Sequence, residues 1–271
     1  MKLNLYKSIL LDGDGVLWKS NQPLPGINSF FEFMEQQGVS WALLTNNNSH
    51  TRRDYVKKLA DFGIQADHQS VFTSSTATVD YLLETYGKES RLHVVGNEAL
   101  ISTLRNAGFT LTHGEHQPEY PVAAVVAGMD RHINHEKIKI AMRLIKGGAA
   151  FIATNTDGSF PTPEGINPGT GMVIGALQAT SGIEPYVAGK PHPAIFRSAL
   201  KSLGTSPDET LMIGDRLETD ILGGNQLGMD TAAVLTGVTS REEINQSEIK
   251  PDFIFDDITT LHQALVEVYR S

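Results

Sequence analysis

A chain of 271 residues carrying a net charge of −9, with a pI near 5.4, can fold as one large domain or two modest ones. That acidity argues against a nucleic-acid polymer or an anionic membrane surface as partner. With no cysteine in the sequence, disulfides and thiolate metal sites are excluded. The first apolar stretch is too short for a signal-peptide core, and no run approaches the ~20 residues of a membrane span. The expectation is a soluble, cytoplasmic protein acting on a small molecule, with its oligomeric state open between monomer and homo-oligomer.

The chain opens with a strand-like run at 8–11, a helical pattern at 27–37, a strand at 40–45 and a helix at 52–62. This βαβα order predicts an α/β fold with a Rossmann-like parallel sheet, whose ligands sit beyond the carboxyl ends of the strands. Pro23-Leu24-Pro25-Gly26 breaks the chain before the first helix and suits a small flap over the loop at Asp12. A middle stretch has strands at 92–95, 123–127 and 150–153 and helices at 98–106 and 136–146. The pattern then repeats with a strand at 186–188, a helix at 193–203, a strand at 210–213, a helix at 219–227 and a strand at 231–235. Residues 81–182 are therefore read as a domain inserted into a core made of 1–80 and 183–271.

Chemistry-bearing residues recur where the strands run out. Asp12-Gly13-Asp14-Gly15 follows Ile9-Leu10-Leu11, and side chains two apart on a strand point to one side. Asp12 and Asp14 would thus crowd one small volume, where a divalent cation or a shared proton relieves their repulsion. Gly13 leaves room for a ligand between them, and Gly15 permits backbone angles closed to other residues. Thr45-Asn46-Asn47-Asn48-Ser49 ends the next strand with a hydroxyl and amides suited to phosphoryl oxygens, while Ser49 would cap the following helix. In Gly189-Lys190-Pro191-His192-Pro193 one proline fixes the turn and another starts a helix, so the lysine is presented. Gly214-Asp215, with Asp220 about a turn on, sets further carboxylates at a strand end, and such oxygen donors suit magnesium better than zinc. Each piece alone also suits a turn, a helix cap or a surface charge.

Taken together and in this order, Asp12-x-Asp14-Gly-Val, Thr45-Asn46, Lys190-Pro191 and Gly214-Asp215-x4-Asp220 resemble the four motifs of the haloacid dehalogenase superfamily. Inserting a domain between the threonine and lysine motifs is similar to the class IIA branch, which holds NagD-like, p-nitrophenyl and phosphoglycolate phosphatases. Local likeness extends to Phe151-Ile-Ala-Thr-Asn155-x-Asp157 and Val187-x-Gly-Lys-Pro, so nearly the whole chain is covered. The resemblance implies a catalytic core with an inserted α/β cap that closes over it, and hydrolysis of a small phosphorylated metabolite through an aspartyl phosphate. Asp12 would be the nucleophile and Asp14 the acid and base. Thr45, Asn46 and Lys190 would bind phosphate, and Mg2+ would be held by Asp12, the Asp14 carbonyl and Asp215 with support from Asp220. Asn47, Asn155, Asp157 and the loop 161–171 are the expected substrate contacts. Gly13 departs from the larger apolar residue usual at its position, which bears on local rigidity rather than on the reaction.

Other readings carry less. A phosphotransferase or mutase would use the same intermediate, and a phosphoacceptor module would combine acids, a hydroxyl and a lysine but expects its acceptor on a later strand. Gly169-Thr-Gly171-Met-Val-Ile-Gly175 has the wrong spacing for a dinucleotide loop and follows a proline-rich loop instead of a strand, so Asn167-Pro168-Gly169 is read as a helix start. His113, His116, His132 and His135 have metal-ligand chemistry, but Gly114 and nearby prolines leave the first two without a continuous helix and the other two lie at a helix entrance, so both sets are read as solvated loop residues.

Overall fold

A computed structural model describes residues 3–162 and 164–270. The chain divides into two compact units, one of Met1–Thr45, Arg52–Phe72 and Lys190–Ser271, the other of Asn46–Thr51 and Thr73–Gly189. Residue 81, the expected start of the insertion, falls inside a helix, and the strand that follows residue 183 belongs to the second unit's sheet.

In chain order the first stretch holds β1 (Ser8–Leu11), β2 (Trp18–Lys19), β3 (Gln22–Pro23), α1 (Ile27–Gln37), β4 (Ser40–Thr45), α2 (Arg52–Asp61) and β5 (Val71–Thr73). There follow α3 (Ser74–Tyr86), β6 (Arg91–Val95), α4 (Glu98–Asn106), β7 (Thr110–His113), β8 (Ala124–Ala127), α5 (His135–Lys146), β9 (Ala150–Ala153), β10 (Ser159–Thr162), β11 (Gly165–Pro168), α6 (Gly171–Ser181) and β12 (Tyr186–Val187). The return comprises α7 (Pro193–Leu203), β13 (Thr210–Gly214), α8 (Leu222–Leu227), β14 (Asp230–Val234), α9 (Arg241–Gln246), β15 (Phe253–Phe255) and α10 (Ile258–Tyr269).

The first unit is built on a six-stranded sheet ordered β15-β14-β13-β1-β4-β5. β1 lies between β13 and β4 and is parallel to both. All four of its residues are buried, as a central strand covered on both faces requires. Leu11 is level with Ile213 on one side and Leu43 on the other, so three strands run out at a common edge. α1 starts and stops at glycines with φ of 85° and 67° and buries Ile27, Phe30, Phe31, Phe33 and Met34. β2 and β3 form a small antiparallel hairpin directly after the Asp12 loop, and the break read at 23–26 follows it, with Gly26 leading into α1.

The second unit has a five-stranded sheet ordered β12-β9-β8-β6-β7. Alternate residues supply its two cores: Val95, Val125, Ala127, Phe151 and Ala153 pack with α5 and α6, whereas Leu92, Val94, Ala124, Val126 and Ile152 pack with α4. β10 and β11 make a separate antiparallel hairpin, and Pro163 in the expected contact loop 161–171 lies outside the described residues. The glycine run before α6 therefore does follow a strand, a hairpin strand, and the helix begins at Gly171 rather than at Pro168.

The helix read at 219–227 is also different. It opens two residues earlier as a π-helical turn, Leu217–Ile221, in which the amides of both Asp220 and Ile221 reach the Arg216 carbonyl. A π turn is a frequent local distortion at functional sites, and this one contains Asp220. Among the described residues, no helix is long and apolar enough to cross a membrane.

Candidate active site

In the first unit, the register of β13, β1 and β4 carries Asp215, Asp12 and Thr45 to one edge of the sheet, each just at or beyond the end of its strand. Ligand atoms of Asp12, Asp215 and Asp220 lie within 4.8 Å of one another, and all three residues are buried. Among the described residues this is the one such acidic or histidine group that could hold a metal ion. Of the four histidines read as loop residues, His116 and His132 do lie in loops, whereas half-buried His113 ends β7 and exposed His135 opens α5.

Lys190 supplies the positive charge. Its ammonium stands 2.6 Å from Asp12 Oδ1 and 2.7 Å from Asp220 Oδ1, and donates to the Leu44 carbonyl at 2.9 Å. Burial by itself would lower the lysine's pKa, but Asp12 and Asp220 outweigh it and hold the group well above the ordinary value. The Lys190–Pro191 peptide is cis, and Pro193 opens α7 as its position suggested. Asp220 Oδ2 accepts from the Arg216 amide at 3.1 Å. Burial, then the nearby Asp12, raises the Asp220 pKa against the opposing pull of Lys190.

Asp215 is the least compensated member. Its Oδ2 accepts the Val238 amide at 2.7 Å, whereas buried Oδ1 has no hydrogen-bond partner among the described residues. Burial, followed by repulsion from Asp12 and Asp220, pushes its pKa well above the carboxylate range. Gly15 has φ of 88°, and a Cβ on Gly15 or Gly237 would run into the Asp215 carboxylate. The Thr236 hydroxyl donates to the Gly15 carbonyl at 2.5 Å and ties the two loops. The loop 236–239 was not singled out from the sequence, although it follows the end of β14 in the same way as the motifs that were.

A buried carboxylate oxygen without a donor, among acids crowded beyond what one lysine neutralises, fits a hard divalent cation bound through oxygen.

Asp14 lies beyond the strand whose alternation was to pair it with Asp12. β1 ends at Leu11, and the chain then turns, with the amides of Leu17 and Trp18 on the Gly13 carbonyl and that of Gly15 on the Trp18 carbonyl. Asp12 is buried and Asp14 exposed, with the Asp14 carboxylate outside the three-acid group. Nor is the space at Gly13 open to a ligand: a Cβ there would overlap the Trp18 indole, which takes the volume a larger residue would need. Trp18 is fully buried, with its ring centroid 6.2 Å from that of Tyr55 at an interplanar angle of 22°.

Thr45 is buried at the end of β4 and shares a hydrogen bond with the Tyr55 side chain. Asn46 is buried in the second unit. There its side-chain amide donates to Asp157 Oδ1 at 3.1 Å, and its carbonyl accepts from Asn155 at 2.8 Å and Ser74 at 2.9 Å. Asn155 Oδ1 in turn accepts the Asp157 amide. Buried Asn48 donates to Thr154 Oγ1 at 2.6 Å, and Asn97 donates to the Asn48 carbonyl. Exposed Asn47 accepts the Ser49 amide, a local turn. α2 starts at Arg52, so the position before it belongs to Thr51 rather than the expected cap Ser49.

A family model described as haloacid dehalogenase-like hydrolase matches residues 9–110, and a second, HAD-hydrolase-like, matches 187–261. A dihydroxyacetone phosphatase of Corynebacterium glutamicum is 38% identical over 254 residues, covering 94% of this chain and 90% of the relative. A p-nitrophenyl phosphatase structure from Archaeoglobus fulgidus superposes with a TM-score of 0.88 at 32% identity, covering 96% of this chain and 99% of that one. NagD from E. coli K-12 superposes with a TM-score of 0.84 at 34% identity, with coverage of 96% and 98%. The chain belongs to the haloacid dehalogenase-like hydrolases, in their NagD-like phosphatase branch.

Proposed function

We propose that this chain hydrolyses small phosphate monoesters in a Mg2+-dependent reaction through a phosphoryl group carried on Asp12. The observation that carries the reading is Lys190 bridging Asp12 and Asp220 beside the uncompensated oxygen of Asp215. A nucleophilic carboxylate must approach an anionic ester, and that arrangement concentrates positive charge where the repulsion is greatest.

Asp12 and Asp215, with the Asp14 carbonyl, would hold Mg2+, while Asp220 serves by fixing Lys190. The ion, when bound, offsets negative charge on the nucleophile and the phosphoryl oxygens. Asp12 attacks phosphorus in line, and the bond from phosphorus to the ester oxygen breaks. Exposed Asp14 delivers a proton to that oxygen, so an alcohol departs. Asp14, now a carboxylate, takes a proton from water as the water oxygen attacks phosphorus; inorganic phosphate leaves and Asp12 is regenerated. The difference in burial suits these duties, since the nucleophile needs a fixed position and the acid needs access to solvent.

Thr45, Asn46 and Lys190 are assigned to the phosphoryl oxygens. Asn155 and Asp157 support the reading through their grip on Asn46, rather than as direct substrate contacts, and Asn47 remains the exposed contact of that loop. The second unit is assigned the choice of ester, with sugar phosphates, phosphoglycolate and nucleoside monophosphates as the classes to screen by kcat/KM.

Incubation with Mg2+ and p-nitrophenyl phosphate tests the reaction class. Sustained turnover is expected, with none from Asp12→Asn and little from Asp14→Asn. A single stoichiometric burst, or wild-type turnover by Asp14→Asn, would overturn the assignment.

A further inference from the structure

We infer that Tyr55 is a positioning residue, holding the Thr45 hydroxyl in the one rotamer that serves the transferring phosphoryl group; this rests on the phosphate-binding role proposed for Thr45. A threonine side chain has staggered alternatives at χ1, and a hydroxyl can also rotate about its own bond. Neither freedom suits a group that must bind an oxygen at a fixed place, because misplacement is costly in a reaction that depends on positioning. Thr45 is the last residue of its strand, where side chains lose the ladder that orders them. The Tyr55 phenol, on α2 ten residues along the chain, is its hydrogen-bond partner.

That phenol is itself immobilised. Tyr55 is buried, and its ring stacks with Trp18, whose indole occupies the volume left by Gly13 between the two carboxyl-bearing residues. Phe62 closes on the same indole at 6.1 Å between centroids, and the Lys58 ammonium lies 4.2 Å from its centre while donating to the Ser20 carbonyl. The missing side chain at Gly13, which read in the sequence as a loss of rigidity, is therefore converted into a seat for an aromatic stack that ends on Thr45. Burial, with Asp14 and Asp12 nearby, keeps the phenol protonated and available as a neutral partner.

Removing only the Tyr55 oxygen and only the Thr45 oxygen, singly and together, tests this in the full-length protein with Mg2+. Tyr55→Phe keeps the ring, and should lower kcat/KM for p-nitrophenyl phosphate about fivefold, with a matching weakening of inhibition by inorganic phosphate. Its thermal midpoint should move little. Thr45→Val should show a loss at least as large, and Tyr55→Phe added to Thr45→Val should cost nothing further, because the phenol then has no hydroxyl to orient. Trp18→Phe, a second route to the same point, should cause a smaller loss that also vanishes in the Thr45→Val background. Full activity and phosphate inhibition in Tyr55→Phe beside an impaired Thr45→Val would overturn the positioning role alone. So would the same loss from Tyr55→Phe in both backgrounds. An unimpaired Thr45→Val would overturn the phosphate-binding reading and the positioning role with it.

Discussion

Lys190 Nζ lies 2.6 Å from Asp12 Oδ1, a buried ion pair between residues 178 apart in the sequence. The same ammonium also touches Asp220, so one cation serves two acids in a place largely shielded from water.

Replacing that lysine by an uncharged residue of similar length leaves both acids unpaired. Lys190→Met should lose turnover and, in metal-free protein at pH 7, on the order of 3–5 kcal/mol of stability by urea denaturation. The deficit should shrink as pH falls, because the stranded carboxylates then take up protons. A deficit independent of pH would show that packing, rather than charge, is what the lysine supplies.

Asp215 makes the opposite case. It sits among like charges with one oxygen unpartnered, so in metal-free protein it opposes folding. Its folded pKa is raised, meaning that the folded state binds the proton more tightly than the unfolded chain, and stability from this group falls as pH rises above the ordinary carboxylate range. Asp215→Asn should therefore match or exceed the wild type in thermal midpoint when both are metal-free at pH 7, yet lose the Mg2+ response. For the wild type, that response is about 2.7 kcal/mol at a hundredfold excess over Kd. A calorimetric titration with Mg2+ that was unchanged in Asp215→Asn would remove this residue from the metal site.

A smaller change should have a similar effect. Gly237 has no room for a Cβ beside the Asp215 carboxylate, so Gly237→Ala must displace that carboxylate or shift the loop. The expected outcome is weaker Mg2+ binding together with a stability loss of about 1–3 kcal/mol from overpacking. Unaltered Mg2+ binding would mean that the loop yields instead.

His93 gives a pH signature far from this chemistry. It is fully buried on β6, with Nδ1 3.1 Å from the Thr112 hydroxyl, and burial, aided by His113, lowers its pKa from 6.5 to about 4. The unfolded chain thus binds the proton first as pH falls, so stability present above pH 6.5 is lost progressively down to about pH 4. The loss attributable to this residue is roughly 3 kcal/mol. It should appear as a narrowing gap in unfolding free energy between the wild type and His93→Gln across that interval. A gap constant with pH would rule it out.

The sheet and its acidic edge were legible because buried parallel strands are short apolar runs that stop abruptly at polar residues. Asp12, Thr45, Lys190 and Asp215 all stand at or near such stops. What escaped notice depends on side chains reaching across the chain: the Tyr55 hydroxyl crosses from a helix to the strand before it, and the Val238 amide comes from a loop with no charged residue to mark it. β10 and β11 were hidden by Pro161 and Pro168, which a ladder tolerates only where the missing amide is not needed. The unlike burial of Asp12 and Asp14 was hidden for another reason. Side-chain alternation holds only along a strand, and the strand ends at Leu11. The π turn at Asp220 was equally unreadable, since no residue type marks a one-residue widening of a helix.

The four places where the chain passes from one unit to the other, at 45/46, 51/52, 72/73 and 189/190, set a rule for anyone making chimeras. A graft exchanging only 73–189 would leave residues 46–51 behind, and with them Asn46 and Asn48, whose hydrogen bonds go to Asn155, Asp157 and Thr154 of the departing segment. Exchanging the second unit between relatives thus calls for two inserts transplanted together, the shorter being six residues long.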